Sequence, residues 1–166
     1  MTTGRRGGEP QRVAVRAIRE TMAKATPGIA LLCVLSLSGI GVAAGQDDTV
    51  AVVYHLNSGD TERQLIALGE VQNHIDAVGA ASLDIRFVIH GRGLDLLSTA
   101  PYNADIRAGI DILKLQGVRF EACGNTIKAR QLNLDQLYGI NEMDIVPSGV
   151  AQISLLQSQG YTYIKP

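Results

Sequence analysis

The chain has 166 residues, with 15 lysines and arginines against 16 aspartates and glutamates, two cysteines and no tryptophan. That length supplies one domain of ordinary size behind a leader, and two cysteines are too few for a disulfide framework. No cluster of basic residues lies beyond residue 45, which argues against nucleic acid as a partner.

Residues 1–28 carry Arg5, Arg6, Arg12, Arg16, Arg19 and Lys24 against Glu9 and Glu20, and Ile29–Gly45 then runs without a charge. A basic segment, an apolar core and a small-residue exit with Val42 and Ala44 at −3 and −1 form the layout of a secretory signal spanning 1–45. The expectation is cleavage near Ala44 or Gly45 and a periplasmic or otherwise exported protein. The alternative is a retained membrane anchor with the domain outside the cytoplasm, although about 17 residues is short for a span. Cleavage would also remove Cys33. Residues 46–166 then hold 14 acidic and nine basic residues, and Cys123 is their only thiol.

Thr49–Leu56 is apolar and continuous, the pattern of a parallel strand covered on both faces. After "NSGD" a helix is expected from Thr61, with Thr61 as cap and Gln64 at N3, running with helical periodicity to Val78-Gly79. "LDIRFVIHG" reads as the second strand. The following stretch breaks at Pro101 and resumes as a helix capped near Asn103, with Ile106, Ile110 and Leu113 on one face. Strand "VRFEAC", helix "TIKARQLNLDQL", strand "MDIVP", helix "VAQISLLQSQG" and strand "YTYIKP" complete the domain. Five strands alternating with helices predict an α/β fold, a three-layer α/β/α sandwich on a parallel five-stranded sheet.

In such sheets the carboxyl ends of the strands face ligands, and His55, His90 and Cys123 all fall there. Cys123 leaves its strand before Gly124, which permits a tight turn, and Asn125 or Thr126, which can cap the next helix. Unpaired N–H groups at that helix end, with Lys128 one turn on, would favour the thiolate, whereas Glu121 on the same strand face would oppose it. The competing reading is an inert, packed cysteine. His55 and His90 could exchange a proton or hydrogen-bond a small ligand, and "NSGDT" (Asn57–Thr61) has the outline of an anion loop in which Asp60 is unfavourable. Neither GxGxxG nor GxxxxGK[ST] is present, no CxxC or HxxxH spacing supports a metal, and no cofactor is expected.

"VRFEACGNT", "VPSGVAQI" and the terminal "GYTYIKP", together with "IRFVIHGRGLDLL", resemble the DsrE/DsrF-like family over residues 50–166. The resemblance implies a five-stranded α/β/α domain assembled into homotrimers or hexamers. It also implies sulfur-relay chemistry with a persulfide on Cys123, supported by His55, Asn57, His90, Asn125, Thr126 and Lys128, and a small thiol or protein as sulfur donor and acceptor. Whether the chain is an enzyme stays open, because no second mature cysteine completes a cycle. The alternative is a non-catalytic small-ligand-binding or assembly module.

Overall fold

The computed structural model describes residues 49–166; the expected signal at 1–45 lies outside the described residues. In chain order the elements are β1 (Val50–Leu56), α1 (Thr61–Val78), β2 (Leu83–Ile89), α2 (Asp95–Thr99), α3 (Ala104–Leu115), β3 (Arg119–Cys123), α4 (Gly124–Ala129), β4 (Ile145–Val146), α5 (Gly149–Ser158) and β5 (Thr162–Ile164). The strands form one parallel sheet in the order β4-β3-β2-β1-β5.

Strand alternation sorts the residues into two unequal layers. Val52, Tyr54, Leu56, Ile85, Phe87, Ile89, Phe120 and Ala122 enter the large core with Leu68, Val71 and Ile75 of α1 and Ile106, Ile110 and Leu113 of α3. On the other face Val53 and Val88 pack only against Ile153 and Leu156 of α5, with Tyr161 beside them. The sandwich is therefore the expected α/β/α fold. Polar residues occupy the rest of the thin face: Arg86 Nη1 donates to Glu121 Oε1, and Arg119 Nη2 to Asp84 Oδ1.

The chain steps from β1 through β2 and β3 to β4 on one side, then returns across the sheet to place β5 beside β1. A right-handed return requires the last helix to cross on the opposite face. Thus α4 follows β3 toward the large core, where Ile127 packs, whereas α5 follows the neighbouring β4 to the thin face. Adjacent strands whose chains leave to opposite faces make a topological switch point, the usual position of a ligand crevice. Here it lies between β3 and β4. Cys123 pairs with Val146 at that point.

Local chemistry moves two expected features. Asp60, not Thr61, caps α1: its carboxylate accepts from Arg63 N at 2.9 Å, while buried Gln64 donates instead to the Ser58 carbonyl at 3.0 Å. An aspartate one residue earlier supplies the stronger acceptor for the orphan N–H. The helix expected over 126–137 ends at Ala129, because Gln131 turns left-handed (φ 53°) and Asn133 starts a separate 3-10 turn at Leu134–Gln136. The other boundaries shift by a few residues at most, and Asn103 caps α3 as expected by accepting from Asp105 N and Ile106 N.

Candidate functional site

Four adjacent strands each place one polar or reactive side chain on the thin face at the carboxyl edge. In sheet order they are Cys123 on β3, His90 just after β2, His55 on β1 and Tyr163 on β5. Alternation explains the common face, since the residues before and after each belong to the large core or to the strand end. His55 Nε2 lies 2.6 Å from His90 Nε2, and His55 Nδ1 lies 2.7 Å from the Tyr163 hydroxyl. The imidazoles stack with centroids 4.7 Å apart.

Cys123 is 5% exposed. Burial pushes its thiol up, but the Thr126 hydroxyl and the backbone N–H groups of Gly149, Thr126 and Asn125 near the sulfur hold the pKa below the ordinary thiol value. These donors come from the first turns of both α4 and α5, the two helices that part at the switch point. The Thr126 hydroxyl oxygen also accepts from Gly91 N at 3.0 Å, so one side chain ties the sulfur to the loop after His90. Gly149 has no room for a side chain: a Cβ there would lie 3.0 Å from His90 Cβ and 3.3 Å from Cys123 Cβ.

Several expected roles change. Cys123 itself occupies the cap position of α4, so Asn125 and Thr126 lie inside the helix rather than capping it, and the Asn125 N–H donates to the Pro147 carbonyl at 3.1 Å. Gly124 makes no left-handed turn; its absent Cβ leaves space beside Ile145 Cγ2 and the Val146 carbonyl. Lys128 is exposed in the last turn of α4 and is not among the groups acting on the sulfur. Glu121 is likewise absent from those groups, because Arg86 holds its carboxylate. The "NSGDT" loop presents no open helix end, since the Asp60 carboxylate fills it. Asn57 instead accepts from Lys165 Nζ at 3.2 Å. Among the described residues no group of three or more His, Cys, Asp or Glu is arranged for a metal ion.

Sequence reasoning missed Tyr163, Lys165 and Gly149. Tyr163 and Lys165 stand two apart in an extended segment and so share a face, but nothing in "YTYIKP" says that β5 lies beside β1. Gly149 carried no signal beyond its place before a helix.

A single proton can sit between two facing Nε2 atoms, so the contact excludes two cationic imidazoles at once. Burial first, then His90 and the Lys165 ammonium, bring His55 from 6.5 to about 4; burial and Lys165 lower His90 as well. Between pH 6.5 and 4 the unfolded chain therefore holds more protons at His55 than the folded one, and stability falls as pH drops through that window. An NMR titration should show His55 protonating near pH 4. A midpoint at 6.5 would mean that the pair is open in solution.

The DsrE/DsrF-like family profile matches residues 48–166. The chain is similar to a solved protein of unknown function from Methanobacterium thermoautotrophicum, at 29% identity and a TM-score of 0.59, covering 70% of this chain and 99% of that one. Among curated proteins no sequence matches. The profile spans the whole described domain, and the chain belongs to the DsrE/DsrF-like family.

Proposed function

We propose that Cys123 carries sulfane sulfur as a persulfide. The observation that supports this reading is the set of polar groups of Thr126, Gly149 and Asn125 around one sulfur at the switch point of the sheet, which lowers its pKa. Those groups stabilise negative charge on the Cys123 thiolate, the form that attacks sulfur. The Cys123 thiolate attacks the outer sulfur of a donor, a new Sγ–S bond forms, and the S–S bond of the donor breaks. Its electron pair leaves on sulfite when the donor is thiosulfate, or on the polysulfide shortened by one sulfur when the donor is a polysulfide. An acceptor thiolate then attacks the outer sulfur of Cys123-S-SH and takes it as a new persulfide, returning the Cys123 thiolate. No external oxidant is needed.

Mass spectrometry after exposure to polysulfide should show added sulfur on Cys123 and none on Cys123→Ser. The pH profile of alkylation should place Cys123 below the roughly 8.5 of a free thiol. Thr126→Ala removes a donor to the thiolate and should raise that midpoint, whereas Lys128→Ala should leave it in place. The 5% exposure of Cys123 favours the second reading, a non-catalytic binding module. A folded protein that resists small alkylating agents and takes up no sulfane sulfur would establish that reading instead.

A further inference from the structure

Beyond the thiol, the carboxyl edge holds one positive charge whose carboxylate neighbours are already occupied. Lys165 Nζ has three N–H donors and gives one to Asn57 Oδ1. Asn57 follows His55 by two residues and Lys165 follows Tyr163 by two, so alternation brings the ammonium to the same face as the histidine pair. The carboxylates in the surrounding loops are spoken for: Asp60 caps α1, and Asp95 is bound by Arg130 Nη2 at 2.5 Å and by Arg92 Nε at 3.5 Å. Arg130 Nη1 also donates to the Gly91 carbonyl at 3.0 Å, fixing the loop that begins at His90. Lys165 thus lies near enough to act on both His55 and His90, in a domain whose net charge is negative.

We infer that Lys165, His55 and His90 form a binding site for a small inorganic sulfane-sulfur anion, a thiosulfate or short polysulfide, set beside Cys123. This inference rests on the persulfide reading and names its donor class. The geometry supports it in three ways. The residues lie in strand order, and the register of β2 with β3 sets His90 level with Cys123, so an anion at His90 sits one strand spacing from the sulfur. The site offers a full positive charge beside a histidine pair, a setting that favours a compact anion. At 5% exposure the sulfur cannot meet the surface of a protein carrier, which favours a donor of a few atoms. Lys165 also lowers the proton affinity of both histidines, and by reciprocity a bound anion should raise it.

Equilibrium binding is read without chemistry in the Cys123→Ser protein, titrated with thiosulfate at constant ionic strength while the imidazole resonances of His55 and His90 are followed. Saturable shifts are expected, with His55 protonating at higher pH when thiosulfate is bound. Lys165→Met should weaken binding about tenfold or more, the worth of one charge-assisted hydrogen bond, and Lys165→Arg should restore most of it. In the Cys123-containing protein, Lys165→Met should slow sulfur loading from thiosulfate and polysulfide by a similar factor and leave alkylation by neutral iodoacetamide unchanged. No saturable shift, or equal binding by Lys165→Met, overturns the site even if Cys123 still loads sulfur. Lys165-dependent binding with no loading on Cys123 keeps the site and removes the persulfide reading.

Discussion

Arg86→Met should lower the unfolding free energy by about 3 kcal/mol, because it strands Glu121 as a buried charge. The Glu121 side chain is 8% exposed and its Oε1 accepts from Arg86 Nη1, while Oε2 has no partner among the described residues. Asp84 keeps its own arginine, Arg119, and also accepts from the Tyr161 hydroxyl at 2.5 Å. The loss is placed at the lower end of the range for breaking a buried pair, because Arg86 is itself 22% exposed and water reaches it. Urea unfolding at pH 7 gives the main measurement. Protonation relieves a stranded carboxylate, so the deficit should shrink toward pH 4. Arg86→Met combined with Glu121→Leu should recover most of the stability, since an apolar pair carries no uncompensated charge. The same variant has a functional readout. Glu121 shares a strand face with Cys123, and Arg86 cancels its charge; without Arg86 the alkylation midpoint of Cys123 should rise. A deficit below about 1 kcal/mol with an unchanged midpoint would show that water screens the pair.

The layers of the fold were legible because the strands are short apolar runs punctuated by Asn, Gly and Pro, and α1 and α3 repeat their apolar residues at helical spacing. Caps depend on which side-chain oxygen reaches an N–H, which is why Asp60 displaced Thr61 while Asn103 stood where expected. The site was legible residue by residue but not in its arrangement. His55, His90 and Cys123 end predicted strands, yet Tyr163 and Lys165 join them only because β5 crosses to the far side of β1, and no local pattern encodes that. Arg86 and Glu121 show the same division. Both occupy the outward phase of their strands, but only the pairing of β2 with β3 turns two charges in apolar runs into one compensated pair. Lys128 and Lys165 exchanged roles for this reason, nearness in sequence giving way to nearness across the sheet.

Gly93→Ala should cost about 3 kcal/mol, at the top of the usual range for overpacking, and should open the histidine pair as it does so. A Cβ at Gly93 would stand 2.4 Å from the Leu56 carbonyl oxygen, 2.9 Å from its carbon and 3.1 Å from Asn57 Cα. All three are backbone atoms, so no side-chain rotation relieves the clash; the end of β1 and the loop after β2 must separate. Those two segments carry the site. Leu56 follows His55, and its carbonyl accepts from His90 N at 3.1 Å, while Gly93 N donates to the His90 carbonyl at 3.0 Å. Forcing Gly93 away from Leu56 therefore pulls His90 from His55, and the 2.6 Å Nε2 contact cannot survive a separation of even 1 Å as a hydrogen bond. Released from His90, the ring of His55 loses part of what keeps it neutral, and its titration midpoint should move up from about 4. Gly91→Ala provides the comparison. Its backbone is left-handed (φ 57°), so alanine there is strained, but a Cβ would meet nothing within 4 Å and the histidines should remain paired. Calorimetry and an NMR titration of both variants separate the effects: a loss of stability in each, with a changed His55 midpoint only in Gly93→Ala. An unchanged midpoint in a destabilised Gly93→Ala protein would show that the pair is held by β5 through Tyr163 rather than by the close approach of the two strand ends.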